Sequence, residues 1–290
     1  MGNMSDILEK SGVDLGGGEK QDPSRPGKAS SGKKAAEKDS FYSAGAWDER
    51  LLKVTNENKE ASESFRILRS RILYPGEGQK RPQTIMVTSN APEEGKSFVS
   101  ANLAITMARG LDQYSLLVDC DLRRPSVASL FGLSSVCRNG LTDYLRDGVD
   151  LAELIFKTTV DKLSIIPSGD CPVNPAELLA SARMSDLVDE LSGRYSDRFV
   201  IFDSPPYLLA SESNVLAKEV DAVVLVVGYG KSDRTKVKTM IEQIGQEKII
   251  GIVFNGMKSS YLKQKILGSY NSYSKYSSVE ESNSKKKVSM

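Results

Sequence analysis

Residues Thr84–Ser89 carry the pattern of a short buried strand, and the chain runs from them straight into Asn90-Ala91-Pro92-Glu93-Glu94-Gly95-Lys96-Ser97. A helical pattern over Lys96–Arg109 follows at once. Strand, x-x-x-x-x-Gly-Lys-Ser, then helix is the context that a phosphate-binding loop demands, and it restricts the chain to an α/β fold. In such a loop, backbone N–H groups and the helix N-terminus cradle phosphate oxygens, here over Asn90, Ala91, Pro92, Glu93, Glu94, Gly95, Lys96, Ser97 and Phe98. Lys96 neutralises the charge on the β- and γ-phosphates, and the Ser97 hydroxyl reaches Mg²⁺. A chance Gly-Lys-Ser on an exposed turn would lack this placement. Asn90 stands where the first glycine of such loops usually sits. Asparagine tolerates left-handed backbone better than most residues, so the turn is expected to survive there.

The rest of the core alternates in the same way. Strands are predicted at Ser115–Cys120, Leu163–Pro167, Phe199–Asp203, Ala222–Val227 and Ile249–Phe254, several of them continuous Val/Ile/Leu runs. Such runs fit strands covered on both faces. Helical patterns occupy Pro175–Ser192 and Arg234–Gln246, and another spans Asp48–Leu73 up to a break at Pro75-Gly76-Glu77-Gly78. The alternation predicts a mostly parallel sheet with helices on both faces and a ligand site at the carboxyl ends of the strands.

Two further strands end in acid at that same side. Leu116-Leu117-Val118 leads into Asp119-Cys120-Asp121, and Phe199-Val200-Ile201-Phe202 leads into Asp203. Charge at the end of a buried strand is costly without a partner, which favours Mg²⁺-linked carboxylates or a base over a cap or turn role for Asp119. An apolar strand closing on Asp203 is a Walker B pattern.

There is no histidine, which removes histidine bases, Ser/His/Asp triads and histidine-bound metals from consideration. The three cysteines are odd in number and outside any CxxC spacing, so a disulfide framework or zinc site is not expected and a reducing cytoplasm is. Net charge is +1, giving no global field toward nucleic acid or membrane. No apolar run reaches the ~18 residues of a membrane span, and the N-terminus has no signal-peptide core. Three regions are therefore expected: a disordered segment over 1–47, rich in Gly, Ser, Lys, Glu and Asp; a nucleotide-binding domain over 48–258; and a flexible tail over 259–290. The tail carries Tyr261, Tyr270, Tyr273 and Tyr276 among small polar residues and does not look like core.

Together these motifs closely resemble the bacterial tyrosine kinases, the BY-kinase family tied to capsule and exopolysaccharide production. The Walker A, A′ and B motifs of that family match Asn90–Ser97, Leu116–Asp121 and Phe199–Asp203, and the likeness runs over about 55–280. Asp119-Cys120-Asp121-Leu122-Arg123-Arg124-Pro125, Gly140-Leu141-Thr142-Asp143-Tyr144-Leu145 and Asn174-Pro175-Ala176-Glu177-Leu178-Leu179 are strings of the same group. The resemblance implies a P-loop NTPase fold of the partition-ATPase-like, deviant Walker type. It implies an ATP-dependent tyrosine autokinase in which Lys96, Asp119, Asp121 and Asp203 are catalytic and Ser97, Asp121 and Asp203 hold Mg²⁺. Asp119 is the best candidate to orient or deprotonate the incoming tyrosine, with its division of labour against Asp121 left open. Asn255 falls where relatives contact adenine, and Glu93 where they often have glycine.

By the same resemblance, Glu63, Arg66 and Arg69 on a helix over 55–73 dock on a neighbouring subunit, in a ring-like homo-oligomer. Spacing alone would equally suit a solvated face with a weak ion pair. Tyr261, Tyr270, Tyr273 and Tyr276 become phosphoacceptors, phosphorylated between subunits. A separate membrane copolymerase supplies activating contacts at the inner face of the membrane, and a cognate phosphatase reverses the reaction. Two alternatives stand beside this. Partitioning ATPases share the fold but carry a second lysine five residues before the loop lysine, where this chain has Ala91. A non-catalytic, nucleotide-gated assembly subunit would use the same binding residues.

Overall fold

Seven strands form one sheet in the order β3-β4-β2-β5-β1-β6-β7: β1 Thr84–Ser89, β2 Tyr114–Asp119, β3 Phe156–Lys157, β4 Leu163–Ile166, β5 Arg198–Asp203, β6 Ala222–Gly228 and β7 Ile249–Asn255. All neighbours pair in parallel except the edge strand β3, which runs antiparallel to β4. This computed structural model describes residues 45–194 and 197–257. Residues 1–44 and the tail tyrosines Tyr261, Tyr270, Tyr273 and Tyr276 lie outside the described residues.

Side-chain alternation along the strands splits the interior into two cores, one on each face. Ile85, Val87, Leu117, Phe199, Ile201, Val224 and Val226 face one layer, with Val99, Leu103 and Met107 of α3 (Lys96–Ala108) and Phe65, Leu68 and Ile72 of α2 (Lys59–Leu73). Met86, Leu116, Val118, Val200, Phe202, Val223 and Leu225 face the other. There they meet α5 (Leu141–Asp147), α7 (Pro175–Leu179), α8 (Ala182–Arg194), α9 (Ser211–Glu219) and α10 (Arg234–Ile244). Coverage on both sides explains why the central strands read as unbroken apolar runs.

The pattern over Asp48–Leu73 is two helices rather than one. α1 (Glu49–Asn56) starts on Asp48, and α2 starts afresh on Asn58, whose side chain accepts the Ala61 N–H at 3.0 Å. Asn56 and Asn58 are weak helix formers and Asn58 is a strong N-cap, so the helix expected over 55–73 divides there. The expected boundary at 47 also moves. Trp47 packs edge-on against Phe131 at 5.3 Å, and the Gly45 N–H donates to the Gly132 carbonyl, so Gly45–Trp47 belong to the folded body. Likewise 175–192 divides into α7 and α8 around Ala180 and Ser181. The short helices α4 (Val127–Leu130) and α6 (Leu151–Leu154), with β3, α5 and α9, complete the framework.

Candidate active site

The loops after β1, β2 and β5 leave three adjacent strands at the same edge, so topology alone gathers their residues. In register, Asp119 lies opposite Asp203, and Asp203 opposite Val87. Asp119, Asp121 and Asp203 are all buried.

The loop 90–97 has two left-handed residues, Glu93 at φ 61° and Gly95 at φ 91°. Asn90 is not one of them; it is buried, with its Oδ1 unpartnered. The expectation that Asn90 supplies the left-handed turn is thus corrected: the reversal falls at Glu93, where a residue with a Cβ bears a cost of roughly 1–2 kcal/mol. Gly95 is required twice over. Besides its φ, a Cβ there would lie 2.0 Å from the Asn255 Nδ2. Asn255, at the end of β7, donates to the Glu94 carbonyl at 2.9 Å, so its amide is fastened to the phosphate loop. Phe98 turns inward against the core of its layer, and Pro92 and Glu93 are exposed.

Lys96 pairs with Asp121 Oδ2 at 2.8 Å, both nearly buried. Asp203 accepts the Ser100 hydroxyl at Oδ1, 3.0 Å away, while its Oδ2 is buried without a hydrogen-bond partner. Asp119 accepts the Asp121 N–H at Oδ1 and the Ser126 and Val127 N–H groups at Oδ2. It therefore holds the turn that presents Asp121 and starts α4. Burial, reinforced by the charge of Asp203, pushes the Asp119 carboxyl up to about 8. Burial raises Asp203 to about 6, against the lowering pull of Lys96 and the Ser97 hydroxyl. Three buried carboxylates with one lysine among them form a site short of positive charge.

That deficit and the orphaned Asp203 Oδ2 fit a hydrated magnesium ion. Mg²⁺ takes one or two carboxylates together with phosphate oxygens and waters, and does not need a protein cage. Among the described residues no group of three or more Asp, Glu, Cys or His is placed to form such a cage.

The structure brings Lys96, Ser97, Asp119, Asp121, Asp203 and Asn255 together around the loop. Glu63, Arg66 and Arg69 are elsewhere, on α2. Arg66 pairs with Glu63 at 3.1 Å, while Arg69 donates to the Thr106 carbonyl of α3. Arg66 and Arg69 line, with Arg109, a cavity of about 260 Å³ between α1, α2 and α3.

Two buried acids have side-chain roles that the sequence did not reveal, although Glu94 belongs to the phosphate loop predicted from sequence. The Glu212 side chain, fully buried on α9, pairs with Arg123 at 2.8 Å and ties the Asp121 loop to that helix. Glu94, inside the phosphate loop, accepts the Ala91 N–H and the Ser232 hydroxyl. Glu94 was legible as a member of the loop but not as a side-chain anchor, and Glu212 gave no signal.

Residues 85–275 match the family described as "CobQ/CobB/MinD/ParA nucleotide binding domain". The tyrosine-protein kinase YwqD of Bacillus subtilis is 32% identical over 212 residues, covering 72% of this chain and 87% of YwqD. The tyrosine-protein kinase CpsD of Streptococcus agalactiae is 31% identical over 219 residues, 75% of this chain and 91% of CpsD. Among solved structures, the kinase domain of the Escherichia coli tyrosine kinase ETK superposes with a TM-score of 0.63 at 32% identity, covering 71% of this chain and 80% of that one. With nucleotide-loop geometry, an acid-lined strand edge and kinship over most of its length, this chain belongs to the bacterial tyrosine-protein kinases of the CobQ/CobB/MinD/ParA nucleotide-binding family.

Proposed function

We propose that the protein transfers the γ-phosphate of ATP to Tyr261, Tyr270, Tyr273 and Tyr276 of a neighbouring copy, and that this cycle regulates polymerisation and export of a capsular or other exopolysaccharide. The observation that carries the reading is the Lys96–Asp121 ion pair of 2.8 Å beside the unpartnered Asp203 Oδ2, at the mouth of the phosphate loop. Loop N–H groups at the start of α3 bind the phosphate chain, and Lys96 swings between Asp121 and the γ-phosphate as charge develops there. Ser97, Asp121 and Asp203 are the residues that would hold Mg²⁺, which would supply positive charge to offset that of the phosphates. Asp119 is the remaining carboxylate for the tyrosyl proton, and its raised affinity for a proton suits that task. Its Oδ1 accepts only the Asp121 N–H and keeps a lone pair for that proton, while Oδ2 holds the Ser126 and Val127 N–H groups. Asn255 steadies the loop from the β7 side and borders the space for the base.

The resemblance to the BY-kinase family supports the remaining parts. The arginine-lined cavity beside α2 receives an acidic element of the next subunit in a ring. A membrane copolymerase activates the kinase at the inner face of the membrane, and a phosphatase resets it. Within the described residues no helix is long and apolar enough to cross a membrane. The test is to incubate the purified chain with ATP, Mg²⁺ and an activating copolymerase segment, then map phosphotyrosine by mass spectrometry. Phosphate on the tail tyrosines is expected. ATP hydrolysis without phosphotyrosine would support a positioning ATPase, and binding without turnover an assembly subunit.

A further inference from the structure

Glu93 is held at φ 61° although it has a Cβ, and the residue after it supplies the means. The Glu94 side chain turns inward and is 2% exposed. Its Oε2 accepts the Ala91 N–H at 3.0 Å, closing the loop back on itself across Glu93. Its Oε1 accepts the hydroxyl of Ser232, from the turn between β6 and α10. Its own carbonyl accepts the Asn255 Nδ2 at 2.9 Å. The turn and β7 are themselves joined, since the Tyr229 N–H donates to the Asn255 carbonyl at 2.8 Å. Glu94 is thus fastened at three points: to Ala91 within the loop, to the turn after β6 and to the end of β7. A strained backbone geometry persists only where its surroundings over-determine it.

We infer that Glu94, anchored by Ser232, is a positioning residue for phosphate binding: its clamp holds Glu93 in the left-handed geometry that shapes the loop, work a glycine at that position would make unnecessary. Without the clamp, Glu93 relaxes toward ordinary negative φ and the N–H groups of the loop no longer converge on the phosphates. The Glu94 carboxylate acts here through geometry rather than charge. A glutamine in its place would still accept the Ala91 N–H with its carbonyl and meet the Ser232 hydroxyl with its amide.

The test is a cycle of variants in the full chain, with affinity for MgADP read by calorimetry and folding checked by thermal denaturation. Glu94→Ala should weaken MgADP binding about tenfold or more. In the Glu93→Gly background the same change should cost less than about threefold, because glycine adopts the left-handed conformation unaided. Glu94→Gln should recover binding to within about threefold of the parent. Ser232→Ala removes one anchor without emptying the buried site, so it keeps the test open should Glu94→Ala fail to fold. It should weaken binding in the parent and not in the Glu93→Gly background. Equal losses in both backgrounds, or a Glu94→Gln as weak as Glu94→Ala, would overturn the clamp. The inference rests on the loop 90–97 receiving nucleotide phosphates. Binding that Lys96→Ala leaves unweakened would overturn that reading and the clamp with it. Binding that depends on Lys96 but fails the cycle overturns the clamp alone.

Discussion

At the scale of single residues, the site is governed by uncompensated negative charge. Asp119 and Asp203 titrate near 8 and near 6 in place of the usual 3.8, because burial and neighbouring carboxylates disfavour their charged forms. Between about pH 4 and 8 the folded chain therefore holds protons that the unfolded chain has released, and stability falls as pH rises through that window. Asp48, Asp221 and Asp233, whose carboxyls are lowered, change charge below it and do not oppose the trend. Ligand-free protein should show a Tm that declines from pH 5 to pH 8, while affinity for MgADP, which needs the carboxylates charged, increases from pH 6 to pH 8. A ligand-free Tm that climbs across the window would contradict this picture. Asp119→Asn tests the proton-transfer role. The amide still serves one side of the turn but cannot take a proton, so kcat should fall by about two orders of magnitude or more while the protein still binds MgADP. Near-normal kcat would assign the tyrosyl proton to another group.

At the scale of elements, α2 is the helix to which we assign contact with a neighbouring subunit. Its inner face, Phe65, Leu68 and Ile72, is core, and Arg66 and Arg69 border the cavity shared with α1 and α3. Replacing both arginines with alanine should reduce the assembly to smaller species in light scattering and slow phosphorylation between subunits. Loss of the Arg69 bond to the Thr106 carbonyl should also lower Tm slightly. An unchanged mass would remove α2 from the interface. The strands were legible in sequence because burial on both faces leaves unbroken Val/Ile/Leu runs, and β1 occurs at the predicted residues. The buried acids beside the phosphate loop were legible because Asp119 and Asp203 close such runs. What escaped depends on long-range contacts. α9 has a weak apolar stripe, and its buried Glu212 makes sense only beside Arg123, which is distant in sequence. The two-residue strand β3 exists through pairing with β4. The left-handed turn at Glu93 was misplaced to Asn90 because propensity favours asparagine, whereas the contacts of Glu94 decide the geometry.

At the scale of the whole molecule, a negatively charged site is accompanied by a tail sequence of opposite sign. From Tyr261 to Met290 six lysines stand against two glutamates, a net +4. Each phosphotyrosine adds about −1.5 to −2, so four reverse the sign of the tail and should expel it from a neighbour's active site. Exposed contacts of this kind are screened over ~8 Å at physiological salt, so assemblies of unmodified chain should weaken as salt rises. With ATP and Mg²⁺, the wild type should dissociate while the chain with Tyr→Phe at 261, 270, 273 and 276 stays assembled; equal dissociation would show that tail phosphorylation is not the switch. The central claim, that one subunit's phosphate loop modifies another subunit's tail, is tested most directly by mixing two inactive halves. One is Lys96→Met, which keeps its tyrosines; the other is the quadruple Tyr→Phe chain, which keeps its phosphate loop. Incubated together with ATP, Mg²⁺ and an activating copolymerase segment, they should yield phosphotyrosine at the tail of the Lys96→Met chain and none when that chain is incubated alone. Phosphotyrosine on the Lys96→Met chain alone, or none in the mixture, would contradict the account.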